Sequence, residues 1–376
     1  MRWFGVTALL VPALVTAGCV TSAEPQPTPC GKRIGVFGPL SGVSANLGRN
    51  VREGVELAVE QYNAAHRTCS VEMATFDSQG DPKQAPALAQ RVVADPQLVG
   101  VVGPVFSGES QAAVPLLNQG QVVTISTSAT ETSLTSHGWT TFHRLLGNDA
   151  QQGPALGRYI EKVLHAEKVF VIDDTGAYGH GLAAQVIEAL GHRVVRSATV
   201  RSKQLDFSEV VAQIVAAKPD TIFYGGYYDE AGGLLRQARD AGVTAAFVAG
   251  DGVKDEGFLT RAGQAAAEGA VITCPCHPPE TAGGQFFAQY QERFGRRPVT
   301  YSAEAYDAAN IFLHGLDAGR ATRPDMVAYV NAYSGTGVTG AIRFTETGEL
   351  VGSAGKVWAY RVHAGAIVTD RLIPEA

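Results

Sequence analysis

Val99-Gly100-Val101-Val102-Gly103-Pro104-Val105-Phe106-Ser107-Gly108 and Val122-Val123-Thr124-Ile125-Ser126-Thr127-Ser128-Ala129-Thr130 are two short apolar runs, each opening into small and hydroxyl residues. Neither run alternates apolar with polar residues, so both faces of each strand are expected to be covered, as in a parallel sheet flanked by helices. In such sheets ligands sit beyond the carboxyl ends of the strands, where loops turn into helices. Hydroxyls and unpaired backbone N–H groups at that edge, beside a helix N-terminus, suit a small anion such as a carboxylate. No acid, base or metal ligand accompanies them. The edge reads as a place that holds a molecule without transforming it.

The same alternation runs on both sides of these strands. Arg33 to Phe37 and Val71 to Phe76 are expected strands, and Val51, Val55, Ala58, Val59, Tyr62 and Ala65 mark one helix face. Helices are expected near 84–94 and 111–119. A second series begins after Gly147, with strands expected at 169–173, 194–200, 221–224 and 246–249 and helices between them. Such spacing implies parallel βαβ units. Two consecutive series imply an α/β protein of two doubly wound parallel-sheet lobes with a cleft between them. Helical segments near 285–294 and 303–318 and strands near 341–344 and 356–362 remain, so the chain is expected to return and finish the first lobe. The expected division is 32–148 with 276–352 in the first lobe and 149–275 with 353–376 in the second.

Composition narrows the class. The 376 residues carry a net charge of −6 and a pI near 5.9, with no basic stripe to neutralise phosphates, which argues against a nucleic-acid partner. Arg2, the apolar run Trp3 to Val15 and the small residues Thr16-Ala17-Gly18 form a signal peptide over 1–18. Cys19 directly after Ala-Gly resembles a bacterial lipobox, making it the lipidated first residue of the mature chain. Thr16 departs from the usual aliphatic residue, and ordinary cleavage that discards Cys19 is the other reading. Residues 19–31, rich in Pro, Ser and Thr, form a tether. No later run is long enough for a membrane-spanning helix.

An exported chain permits disulfides. Cys30 and Cys69 each precede a strand, and a bridge between them is reasonable if those strands are parallel neighbours. Cys274 and Cys276 share one face of a strand, where a local bridge and two free thiols both fit. Cys-x-Cys followed by His277 lacks the spacing of a zinc site, so no metal is expected.

Longer motifs join these features. Ile34-Gly35-Val36-Phe37-Gly38-Pro39-Leu40-Ser41-Gly42, the helix ending in Tyr62-Asn63, and Asp77 followed by Asp81-Pro82 resemble the branched-chain amino-acid (Leu/Ile/Val) binding proteins of ABC transporters. Ser126 to Thr130 with Leu134-Thr135, Tyr178-Gly179-His180-Gly181, Asp206-Phe207-Ser208 and Tyr224-Gly225-Gly226-Tyr227 continue the series, in unbroken order to about Trp358. The resemblance implies the type I periplasmic-binding-protein fold, two lobes joined by three crossovers that close on a ligand.

By position, the resemblance implies that Ser107 and Thr130 bind the ligand α-carboxylate and that the Ser128 carbonyl faces its ammonium. Any one of these hydroxyls alone reads as a helix cap. From the second lobe, Tyr178, Tyr227 and Asp251 match pocket positions, with Asp251 pairing the ammonium. Taken alone, Asp251 between two glycines reads equally as a turn residue. Leu47 stands where an aromatic residue often closes the side-chain pocket, leaving the wall apolar but differently shaped. Tyr228 and Glu230 are expected to face solvent.

Other chemistries find no support. The chain has no Gly-x-Ser-x-Gly elbow and no Walker A loop, and Asp173-Asp174 reads as a turn. His137, His143, His165 and His180 lack partners at ligand spacing. The expectation is a lipid-anchored, extracytoplasmic, monomeric binding protein without cofactor, which touches the membrane only through its lipid. Its expected partners are an aliphatic amino acid and ABC permease subunits. The rivals are a sensor on the same fold, a binder of another small amino acid, amide or urea-like ligand, and an enzyme.

Overall fold

The computed structural model describes residues 29–66, 69–352 and 356–374, together with 1 and 3. The expected cleavage site with Cys19, and the tether up to residue 28, lie outside the described residues. Among the described residues no helix is long and apolar enough to cross a membrane.

The first sheet holds β1 (Pro29–Gly38), β2 (Ser70–Asp77), β3 (Leu98–Val102), β4 (Val123–Ser126) and β5 (Phe142–Arg144), in the order β2-β1-β3-β4-β5. Every pair in it is parallel. Val36 stands opposite Val102, Val102 opposite Ile125, and Ser126 opposite Arg144, so these strands finish along one edge. β3 and β4 are buried along their whole length, β4 with Thr124 and Ser126 among its buried residues. Ile34 and Val36 pack into one helical layer and Phe37 into the other. Gly54 allows the helix Ala45–Ala65 to lie close on Ser302–Asp317: a Cβ there would fall 2.3 Å from the Ser302 carbonyl oxygen.

The second sheet is built from β6 (Val169–Asp173), β7 (Val194–Thr199), β8 (Thr221–Gly225), β9 (Ala246–Ala249) and β10 (Val271–Cys274). The next strands, β11 (Ser334–Gly337) and β12 (Gly340–Arg343), form a separate two-stranded hairpin, so the strand expected at 341–344 does not join the first sheet. β13 (Trp358–His363) and β14 (Ala366–Leu372) complete the second sheet in the order β14-β13-β10-β9-β8-β6-β7. Both final pairings are antiparallel, so this sheet is mixed at one edge. The reversal sits at Ala364 and Gly365, whose φ values of 51° and 78° suit a two-residue hairpin turn.

The chain passes between the sheets after β5, after β10 and between β12 and β13. These passages lie together. Gly147 N donates to Pro275 O at 3.3 Å, and Asn148 Nδ2 donates to Glu349 Oε1 at 3.2 Å.

Cys274 and Cys276 are bonded to each other, and both are buried. Cys69 is disulfide-bonded, while the Cys30 side chain lies outside the described residues. Tyr228 and Glu230 do not face solvent; both are buried. The first turn of the helix Tyr228–Asp240 meets neighbouring chain, where Tyr228 OH donates to Val43 O at 2.7 Å and Glu230 Oε1 accepts from Lys203 N at 2.5 Å.

Candidate functional site

The first-lobe half of the site is the pair of loops after β3 and β4. The first leads into the helix Ser107–Gln119, whose initial N–H groups have no acceptor within the helix. Glu109 fixes that turn by accepting from Phe106 N at 3.0 Å and from the Ser78 hydroxyl. Burial pushes the Glu109 carboxyl up to about 7.

Hydroxyls of the second loop stitch it to the first. Ser126 Oγ donates to Pro104 O at 2.7 Å, and Ser128 Oγ donates to Val105 O. Ser107 Oγ accepts from Glu131 N at 3.3 Å, so its own proton stays available for another acceptor. Thr127 Oγ1 is buried without a hydrogen-bond partner among the described residues, while the buried Thr130 hydroxyl lies against the Asp149 carboxyl.

Across the cleft, Tyr178 opens the helix Ala177–Leu190 after β6, Tyr227 follows β8, and Asp251 follows β9. Tyr178 OH donates to Asp251 Oδ1 at 2.8 Å and accepts from Gly252 N at 3.0 Å. A side chain at 252 would press the Tyr178 ring, with a Cβ only 2.8 Å from it. Tyr301 OH donates to Asp251 Oδ2 at 2.5 Å. Tyr301 comes from the segment that packs on the first lobe, and it holds a left-handed backbone at φ 70°, a strained state for a bulky residue. Burial raises the proton affinity of the Asp251 carboxyl, while the Tyr301 and Tyr178 hydroxyls pull it back.

The lobes touch around this group. The Tyr227 ring lies 5.4 Å from Tyr178 and 4.1 Å from Phe106 of the first-lobe loop. Leu47 is wholly buried in the first turn of its helix, next to Asn46, whose Nδ2 donates to Asp255 Oδ1 at 2.8 Å. Thr300 Oγ1 donates to Lys254 O at 2.7 Å.

Three further residues belong to the site that motif reading did not reach: Tyr301, Asp149 and Arg144. Asp149 is fully buried, its N–H donates to Thr130 O at 2.9 Å, and its carboxyl lies beside the Thr130 hydroxyl. Burial first, then the charge of Asp251, pushes the Asp149 carboxyl well above the usual range, against the pull of the Thr130 hydroxyl and Arg144. The Arg144 guanidinium already pairs with Glu349 at 3.1 Å. The enclosed cleft thus holds two carboxyl groups whose charge burial disfavours, beside the uncommitted Ser107 proton, an arrangement that suits a ligand with a cationic group close to an anionic one. Only the Asn148-Asp149 helix start offered a signal for Asp149, and nothing in local spacing marks Tyr301.

Two surface cavities lie elsewhere. One of about 720 Å³ is lined by residues including Arg201, Lys203 and Glu209, and one of about 340 Å³ by residues including Tyr306, Asp307 and Tyr333. Neither lining includes a buried polar side-chain atom lacking a partner, in contrast to the cleft. Asp173 and Asp174 form turns, accepting from Thr175 N and Gly176 N at 2.8 Å each. Among the described residues no three His, Cys, Asp or Glu side chains gather as a metal site.

Residues 32–366 match the family model described as periplasmic binding protein. The chain is 31% identical over 329 residues to the leucine-, isoleucine-, valine-, threonine-, and alanine-binding protein of Pseudomonas aeruginosa, covering 85% of this chain and 87% of that one. It is 30% identical over 355 residues to the Leu/Ile/Val-binding protein of Escherichia coli strain K12, covering 90% and 92%. Its fold is similar to the branched-chain amino acid transporter substrate binding protein of Streptococcus pneumoniae in complex with isoleucine. That match has a TM-score of 0.82 and 25% identity, covering 90% of this chain and 99% of that one.

Proposed function

The chain belongs to the periplasmic binding protein family, and we propose that it captures an aliphatic, branched-chain amino acid in the interlobe cleft and delivers it to an ABC permease. One observation carries the ligand class. Asp251 is enclosed at 1% exposure, with Tyr178 and Tyr301 hydroxyls on its two oxygens, opposite a hydroxyl-rich loop pair at a helix N-terminus. An α-amino acid presents an ammonium and a carboxylate that answer these two halves.

In this reading Ser107, Thr130 and the first N–H groups of the helix Ser107–Gln119 take the α-carboxylate. The Ser128 carbonyl and Asp251 take the ammonium, and Leu47, Tyr178 and Tyr227 wall the side chain. The ligand meets one lobe first. Hinge motion at the crossovers then brings the other half against it. The lobes are 32–148 with 276–352 and 149–275 with 353–376. The protein performs no reaction; Cys19 carries the lipid after removal of 1–18, and the mature chain works as a monomer outside the cytoplasmic membrane.

Titration calorimetry of the mature domain tests the ligand. Leucine, isoleucine or valine should bind, while benzoate, urea and simple amides should not. Binding of an amide or an aromatic acid with no response to any branched-chain amino acid overturns the reading.

A further inference from the structure

Arg144 touches none of the proposed ligand contacts directly, yet its guanidinium grips the turn that carries Thr130. It ends β5, and its side chain is entirely buried. Nη1 donates to Ala129 O at 2.9 Å and to Glu131 O at 3.0 Å, the two carbonyls that flank Thr130. Nη2 lies 3.3 Å from Thr135 Oγ1 and 3.1 Å from Glu349 Oε1. Glu349 also accepts from Thr135 Oγ1 at 2.6 Å and from Asn148 Nδ2 at 3.2 Å. Asn148 lies on the first passage between the sheets, immediately before the helix Asp149–Lys162, and Glu349 lies on the approach to the third. The Arg144 backbone N donates to Gly348 O at 3.0 Å, fastening the same two stretches.

We propose that Arg144 is a positioning residue for ligand binding, holding the turn at 129–131 in the shape that offers Thr130 and the Ser128 carbonyl to the cleft. Through Glu349 it ties that turn to two of the three passages, so loop shape and lobe closure are set together. This rests on the amino-acid reading above. The role needs a planar fork: two carbonyls flanking one residue and a carboxylate beyond them lie in divergent directions that a lysine ammonium cannot serve at once.

Two readouts separate positioning from general stabilisation. The variants are Arg144→Lys, Glu349→Gln and, as a control, Val92→Ala, buried in the opposite helical layer of the first lobe. In ligand-free protein, amide hydrogen exchange over 127–131 should rise in Arg144→Lys while β8 and β9 stay protected. The leucine Kd should rise about tenfold, mainly through faster dissociation, the loss expected for one charge-assisted hydrogen bond. Glu349→Gln should move both readouts in the same direction by less, and it carries the test if Arg144→Lys does not fold. Val92→Ala should lower the Tm and leave both unchanged. Unaltered exchange over 127–131, or a rise in Kd no greater than that of Val92→Ala, overturns the inference. If the wild type binds no amino acid, the functional reading fails, and the exchange measurement alone decides the role of Arg144.

Discussion

Asp251→Asn is the sharpest perturbation of the proposed site. The carboxylate is 1% exposed and accepts from the hydroxyls of Tyr178 and Tyr301 on its two oxygens, of which an asparagine amide keeps one as an acceptor. Removing one partner of a desolvated charge pair costs about 2 to 5 kcal/mol. Asparagine keeps the shape, so a loss of about 3 kcal/mol is expected, or roughly 100-fold in leucine Kd. The ligand-free protein should respond differently. Burial already disfavours the Asp251 charge, so neutralising it should leave the ligand-free Tm unchanged or raise it. Thermal unfolding with and without leucine reads both effects. At a ligand concentration of 1,000 times the wild-type Kd, leucine stabilises the wild type by about 4.1 kcal/mol and the variant by only about 1.4 kcal/mol. A variant that binds leucine within threefold of wild type removes Asp251 from the ammonium site. A variant whose ligand-free Tm falls by many degrees makes Asp251 a structural residue instead.

Leu47→Phe should weaken leucine about tenfold more than valine, because added volume at a fully buried position strains the longer ligand first; calorimetry giving equal losses would place Leu47 away from the ligand side chain. Gly54→Ala should cost about 1 to 3 kcal/mol in urea unfolding, because its Cβ meets backbone of the facing helix rather than a movable side chain. A pH test follows from Glu109, raised to about 7 by burial. With the folded value above the unfolded one, its stabilising contribution is whole below about 4.5 and is lost as pH rises through 7. Glu109→Gln should therefore gain roughly 2 to 3 kcal/mol relative to wild type between pH 5 and pH 8 in urea titrations, and parallel profiles would contradict it.

What the sequence shows and hides follows from where each residue finds its partners. β9 is legible to the residue, because Ala246–Ala249 is an apolar run bounded by nearby glycines and buried in mid-sheet. β5 is not, since its three residues include His143 and Arg144. Their burial depends on Asn331, 188 positions away, and on Glu349. β14 is an edge strand whose residues are mostly exposed, so it carries no apolar run to read. Tyr228 is polar enough to suggest solvent, and distant parts of the chain, Val43 at its hydroxyl and Gly257 against its ring, cover it. Of the site, the loops after β3 and β4 are legible because strand, hydroxyls and helix start are contiguous. Tyr301 and Arg144 act through contacts 50 and 205 positions apart, and no local pattern encodes these.

The hydroxyls at the strand ends do less ligand recognition than their number implies. Ser126 and Ser128 spend their protons on Pro104 and Val105 carbonyls, and Ser107 receives the Glu131 N–H. They tie the loop pair together and leave the Ser107 proton uncommitted, which on the proposed reading meets the ligand anion. On the proposed reading, charge recognition sits on the other side, at Asp251, which Tyr178 holds from within its own lobe and Tyr301 reaches from across the cleft. On the proposed reading, a carboxylic acid lacking the amine would still meet the first-lobe loops. Closure over it would then enclose Asp251 and Asp149 with no cation between them, an arrangement burial opposes. Selection for the amine therefore operates at closure rather than at first contact. A des-amino analogue should show weak binding without the slow dissociation that an enclosed ligand shows.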